Sequence, residues 1–315
     1  MKFLARTLLM CCLLPTVIIF AQDGEYYNQV FQYGTDADIA RALRNGETDL
    51  GKDINRQILE LFEEKHSLDV YIAAASYIGT VRLTAAERTL LEQLRDGPYS
   101  EDYREVVVHA IGRLEKPSSL QQLREYYYNK KSTKRIKRAI IDAWAAIGDA
   151  GIEDTLLHIV SDAHEDDELK ARAILALGKV KSHNSLELLE RTARNTYENK
   201  LLRMYAVYSL GEIGGESVLD TLGELLTDDT HEVAEYAVQS IANIPSDRSG
   251  AFLVQALRSD YDLVRYHAVI GLAALDYDEA TDILAFKAEY DSNELIRREA
   301  RKALETLRNP EVSGE

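Results

Sequence analysis

Apolar residues recur along this chain in one helical pattern that is copied eight times. The clearest copy runs from Leu202 to Gly214, reading Leu-Arg-Met-Tyr-Ala-Val-Tyr-Ser-Leu-Gly-Glu-Ile-Gly. With Ala206 as the anchor, Leu202 lies four positions before it, Leu210 four after and Ile213 seven after, with small Ser209 at plus 3. Those offsets place the apolar side chains on one stripe of a 3.6-residue helix. Equivalent anchors are Ala74, Val107, Ile140, Ala173, Ala206, Ala237, Ala268 and Ala300, at steps of 33, 33, 33, 33, 31, 31 and 32 residues. A fixed period of that length predicts a stacked repeat array, in which each copy buries its apolar side against its neighbours.

Between anchors lies a second, leucine-rich amphipathic segment, such as Leu90, Leu91 and Leu94 or Leu219, Leu222 and Leu226. The chain therefore reads as about eight helical hairpins, an all-α solenoid with no sheet. Position plus 1 of the anchor helices is also apolar (Ala75, Val108, Ile141, Ile174, Val207, Val238, Val269), so these helices are predicted to be flanked on both sides. Arg301, Lys302 and Glu305 break the rule in the last copy and mark a C-terminal cap, and Asn309-Pro310 stops the helix. Glycine at plus 5 (Gly79, Gly112, Gly178, Gly211) disfavours a helix by about 1 kcal/mol relative to alanine. Its recurrence predicts that another backbone comes close at that position. Gly148 and Gly214 at plus 8 suit a left-handed helix end.

The repeat divides the chain into residues 1–21, 22–52, 53–308 and 309–315. The first reads as a secretory signal peptide: Lys2 and Arg6, an apolar run from Leu8 to Phe20, then cleavage near Ala21. Leu8-Leu9-Met10-Cys11 is a loose lipoprotein box with little apolar core before it, which makes lipidation the weaker reading. Residues Gln22 to Thr35 hold Tyr26, Tyr27, Phe31 and Tyr33 without a sustained period and read as a tail. Asp36 to Asn45 reads as a short capping helix. Both cysteines, Cys11 and Cys12, fall in the leader, so the core alone would hold the mature protein together. The whole chain carries a formal charge of −16; without Lys2 and Arg6 it is −18. A surface that acidic disfavours nucleic acid and anionic lipid and favours basic or neutral protein partners.

The pattern Val/Leu-Arg-x-x-Ala-x-x-Ala/Ser-Leu-Gly-x-Ile-Gly resembles the second helix of HEAT repeats, in particular the short bacterial HEAT-like repeats of the phycobilisome-lyase type. Leu202 to Gly214 and Val264 to Leu275 are the best copies, and the resemblance covers Asp53 to Leu307. It implies a right-handed α-solenoid, a superhelix with the anchor helices on its concave side. Some HEAT-like proteins, the deoxyhypusine hydroxylases, hold two irons through His-Glu pairs that would fall at minus 2 and minus 1. Those positions here are Ala171-Arg172, Met204-Tyr205, Glu235-Tyr236, Tyr266-His267 and Arg298-Glu299, so no copy keeps the pair.

Other candidate chemistry is thin. A cation recurs at minus 3 (Arg104, Lys137, Lys170, Arg203, Arg265, Arg297), with acids just before the same helices at Asp166 to Glu168, Asp228, Asp229, Asp260, Asp262 and Asp291. This reads as an ion-pair ladder between neighbours rather than an anion site. The acidic turn His164 to Glu168 lacks the spacing of a calcium loop and fits helix capping. The basic block Lys130, Lys131, Lys134, Arg135, Lys137, Arg138 reads as a solvated helix start, or as a contact for an acidic partner. No nucleophile elbow, phosphate loop or zinc helix is present.

Positions minus 2 and plus 2 point away from the buried stripe. Through the middle of the chain they hold Leu175, Met204, Tyr208, Tyr266 and Ile270, with Tyr205 and Tyr236 beside them. Exposed, these seven would make a partner site, since aromatic and Met side chains carry much interface energy; tighter helix packing would hide them instead. The expectation is a non-enzymatic, exported scaffold that binds a protein or peptide on its concave face, with no cofactor, no metal and no nucleic acid, in the periplasm or outside the cell. The alternatives are a lyase-like or metal-dependent accessory enzyme acting on a protein, or a purely structural envelope spacer.

Overall fold

The computed structural model describes residues 15–98 and 100–308, with residues 15–23 described through their backbone alone. Apart from that backbone, the expected leader with both cysteines lies outside the described residues, as does the tail from 309. Every regular element among the described residues is helical, so the all-α reading holds. None of those helices is long and apolar enough to cross a membrane.

The chain forms two compact units that meet in sequence at Asp149 and Ala150. The first holds α1 (Pro15–Tyr33) and α2 (Asp36–Asn45), α3 (Lys52–Glu60) and α4 (Leu68–Thr80), α5 (Glu87–Asp96) and α6 (Glu101–Arg113), and α7 (Leu120–Tyr127) and α8 (Lys134–Ile147). The second holds α9 (Glu153–Ser161) and α10 (Asp167–Lys179), α11 (Leu186–Arg194) and α12 (Lys200–Ile213), α13 (Leu219–Leu225) and α14 (His231–Ala242), α15 (Asp247–Ala256) and α16 (Asp262–Ala274), and α17 (Thr281–Tyr290) and α18 (Glu294–Arg308). These are roughly nine hairpins of a HEAT-like solenoid. The ninth comes from the N-terminus, where α1 replaces the expected tail: Tyr27 is buried and its hydroxyl donates to the Ala42 carbonyl at 3.1 Å. Thr35 and Asp38 then close a capping box at the start of α2.

In each unit the anchor helices form the spine: α2, α4, α6 and α8 pack in series in the first, and α10, α12, α14, α16 and α18 in the second. All eight anchors, and the plus 1 residues from Ala75 to Val269, are fully buried. The glycines at plus 5 do mark close approach. A Cβ on Gly79 would lie 2.9 Å from the Ala110 Cα, and one on Gly112 2.8 Å from the Ala143 Cα. In the second unit Gly178 faces Ser209 and Gly211 faces Ser240 in the same way. Position plus 5 of one repeat therefore abuts plus 3 of the next, and both must be small. The serine hydroxyls are satisfied there: Ser209 donates to the Ile174 carbonyl at 2.9 Å and Ser240 to the Val207 carbonyl at 3.2 Å.

Two further register positions are set by the backbone. Plus 8 is left-handed in six of the repeats, with φ of 52° at Arg82, 53° at Glu115, 70° at Gly148, 53° at Lys181, 73° at Gly214 and 52° at Asp276. Only two of those six are glycine. A side chain in this region costs about 1 kcal/mol, so Lys181→Gly is expected to raise stability by about 0.5–1 kcal/mol, read as a higher urea midpoint at unchanged slope. Minus 7 is the residue before each anchor helix: Ser67, Ser100, Thr133, Asp166, Asn199, Thr230, Tyr261 and Asn293. Seven of these eight are helix-capping types, and five accept a hydrogen bond from the first turn.

Candidate functional site

Two of the cations at minus 3 in the second unit, Arg203 and Arg265, are consumed by the fold. Arg203 is 3 % exposed; its Nε donates to the Ala193 carbonyl at 2.9 Å, and its other nitrogens reach Asp228 and, at 3.3 Å, the Thr230 hydroxyl. Arg265, 6 % exposed, holds Asp291 through two bonds of 3.0 and 3.1 Å, Asp262 at 2.7 Å and the Ser259 carbonyl at 2.9 Å. Burial alone would raise the Asp291 carboxyl, but hydrogen bonds from Arg265, the Asn293 backbone N–H and Lys287 outweigh it and hold the group at about 2. Arg203 and Arg265 thus join neighbouring repeats, each reaching an aspartate that precedes the next anchor helix.

Part of the basic block of the first unit is likewise absorbed, while Lys130 and Lys131 stay exposed. Arg135 binds Asp102 at 2.6 Å and also Glu105, and the Lys137 ammonium sits 4.8 Å from the Tyr127 ring centre. The acidic turn before α10 is a cap, with the Asp166 carboxylate accepting from the Glu168 N–H at 2.9 Å. Among the described residues no three His, Cys, Asp or Glu side chains are grouped to hold a metal. A groove of about 520 Å³ lies between α5 and α7, lined by Arg88, Leu91, Arg95, Gln122 and Tyr126 among others, and none of the expected site residues lines it.

The seven expected partner-binding residues all lie on anchor helices of the second unit. Tyr208 and Ile270 are exposed, at 42 % and 41 %. Leu175, Met204, Tyr205, Tyr236 and Tyr266 are half-buried, and the last four lean on the core. The structure brings Tyr208 and Tyr236 together edge to face, with ring centres 6.4 Å apart across α12 and α14. Burial first, and then the Glu212 carboxylate, raise the Tyr208 hydroxyl above its ordinary range, keeping it a donor. Across α14 and α16, Gln239 bridges Glu235 at 3.2 Å and the His267 ring at 3.1 Å, and His267 stacks edge-on to Tyr266 at 5.3 Å. The mid-face is thus a shallow aromatic strip with a polar seam. Leu175 has no ring partner in it.

A second group was missed. Apart from Tyr208 and Ile270, the exposed large apolar residues of the second unit are Tyr197, Leu201, Tyr261, Leu263, Tyr290 and Leu295, which sit near the starts of anchor helices, and Phe286 within α17. Tyr261 occupies the capping position without capping; a Ser, Thr, Asp or Asn there is worth about 1 kcal/mol. Its ring lies 5.9 Å from that of His231, and its hydroxyl donates to the Asp229 carbonyl at 3.3 Å. The Phe286 and Tyr290 rings are 5.2 Å apart on the same edge. Aligning minus 7 across the repeats would have singled out Tyr261 as the one departure, although only the structure shows what surrounds it.

Comparison with known proteins gives the following. The family model for HEAT repeats matches residues 153–242. No curated protein matches the chain. Among solved structures, human deoxyhypusine hydroxylase in complex with glycerol is similar at 17 % identity and a TM-score of 0.37, over 93 % of this chain and 99 % of that one. The complex of CpcE and CpcF of phycocyanin lyase from Nostoc is similar at 13 % and 0.45, over 80 % and 94 %. An engineered protein is similar at 17 % and 0.49, over 93 % and 90 %. At such identities the likeness is one of repeat architecture alone.

Proposed function

We propose that the chain is an exported, non-enzymatic scaffold whose HEAT-like repeats, of the short phycobilisome-lyase type, present a concave face lined by α12, α14 and α16 to another protein or peptide. The observation that carries this is the strip formed by Tyr208, Tyr236, Tyr266 and Ile270: Tyr208 and Ile270 are exposed, and Tyr236 and Tyr266 are half-buried with one side held against the core. Fixed in place, such side chains lose little rotamer freedom when a partner docks, and tyrosine supplies both contact area and a hydrogen-bond donor. The acidic surface favours a basic or neutral partner and disfavours nucleic acid. The basic and apolar start of the sequence is the reason for placing the protein in a bacterial envelope or outside the cell.

The test is quantitative capture of partner by the full chain in its native cells, using a photoreactive residue at 212 beside the strip. The Tyr208→Ala, Tyr266→Ala double variant is expected to lose at least about tenfold of the adduct, as central aromatic contacts do, while keeping its helicity; the exposed Tyr208→Ala alone is expected to lose adduct with its melting temperature unchanged. Undiminished adduct with an intact fold would remove the mid-face from consideration.

A further inference from the structure

We propose that the edge of the second unit around Tyr261 docks a lysine- or arginine-bearing segment of a partner protein. The site goes beyond the mid-face strip and shares no residue with it.

Tyr261 lines one of two grooves that share Ser259 and Asp260. One, of about 480 Å³, is lined by Leu226, Asp229, Ala256, Arg258, Asp260 and Tyr261 among others; the second, of about 310 Å³, includes Asp260, Phe286 and Tyr290. Seven of eight repeats place a capping side chain at this position, and here the cap is given up for an exposed ring. A local rule broken at an exposed position is a mark of a surface kept for another purpose. The ring's contacts with His231 and the Asp229 carbonyl hold it upright without covering it.

Charge selects the occupant. Asp228, Asp262 and Asp291 are neutralised by Arg203 and Arg265, but the side chains of Asp229 and Asp260 have no hydrogen bond or ion pair among the described residues. Both line the first groove, so two unspent carboxylates flank an aromatic face, with the methyl and methylene groups of Leu226 and Ala256 beside them. That combination takes a cation on an aliphatic stem: the head between ring and carboxylates, the stem along the apolar floor. The exposed rings of Phe286 and Tyr290 offer contact to the residues that follow it. Long-range charge points the same way. Residues 150–315 hold 17 Lys and Arg against 32 Asp and Glu, whereas residues 1–149 hold 20 against 21. Nearly all of the net negative charge is on the unit with the exposed aromatic edge, which would steer a basic segment towards it. Arg258, the one cation lining the first groove, is exposed and opposes the incoming charge.

The probe is a fluorescein-labelled twelve-residue peptide of alternating Lys and Gly, titrated against the full chain at low and at physiological salt. Asp229→Asn with Asp260→Asn is expected to weaken binding about tenfold or more, and Tyr261→Ser at least threefold with thermal stability unchanged or raised by the restored cap. Arg258→Gln is expected to tighten it. Asp276→Asn with Asp278→Asn makes the same change in net charge at the far end of α16 and is expected to shift affinity less than twofold. The mid-face double variant should bind the peptide normally, so failure of one site leaves the other testable. Equal losses from the two aspartate pairs would reduce the effect to a diffuse field and overturn the proposal. So would unaltered affinity in Tyr261→Ser, or no binding at either salt.

Discussion

Replacing Arg265 by alanine is expected to remove about 3–5 kcal/mol of stability, the range seen when one member of a buried, hydrogen-bonded ion pair is deleted. The guanidinium spans two repeats: it rises from α16, takes both oxygens of Asp291 at the entrance to α18, and ties the Ser259 and Asp260 carbonyls of its own turn at 2.9 and 3.2 Å. Without it the Asp291 carboxylate, 5 % exposed, keeps only Lys287 and the Asn293 N–H. Urea unfolding followed by circular dichroism reads the loss. An acid limb follows from the same pair. Because the folded Asp291 sits at about 2, below its ordinary value near 3.9, its stabilisation is fully present above about pH 4 and is lost as pH falls towards 2, with a total on the order of 2–3 kcal/mol. In Arg265→Ala that part of the acid dependence should shrink. A stability change below about 0.5 kcal/mol in the variant would show that the pair is surface decoration.

Gly178→Val should destabilise the second unit by about 2–4 kcal/mol, at or above the usual range for overpacking. A Cβ at 178 falls 2.7 Å from the Ser209 Oγ and 2.9 Å from its Cα, so the obstruction is backbone and not the tip of a flexible chain. The two added methyl groups of valine would force α10 and α12 apart, and the hydrogen bond from Ser209 to Ile174 would lengthen with them. The expected signature is a lower urea midpoint together with faster hydrogen exchange across both helices. A variant as stable as the parent would mean that these helices do not meet at that point.

The stacking was legible in the sequence because it is enforced at the same offsets eight times. Anchors such as Val107 and Ala237 are apolar because they are enclosed, and Gly112 or Gly178 is small because a neighbouring backbone leaves no room. The ion-pair ladder was legible for the same reason, as Arg203 and Arg265 recur with acids at a fixed distance. Features that occur once were not legible. The helix α1 lacks the period: among its side chains from 24 to 33 only Tyr27 is buried. The partner-facing residues were read from two register positions, but exposure depends on what the next repeat presents. Met204 and Tyr236 lean on the core while Tyr208 stands clear. The exposed edge at Tyr197, Tyr261 and Tyr290 lies in turns and at a helix end, where no period distinguishes a covered ring from a bare one.

Which side chains are free for a partner depends on the register in which the anchor helices stack, with plus 5 of one repeat against plus 3 of the next. The direct test is a double-mutant cycle one repeat further along, at Gly211 and Ser240, where a Cβ on the glycine would lie 2.6 Å from the serine Cβ. Gly211→Ala and Ser240→Gly should each destabilise alone, and together should be more stable than their sum by at least about 1 kcal/mol, as expected for residues in contact. Additive effects, within about 0.3 kcal/mol, would contradict the stacking and with it the assignment of every exposed face.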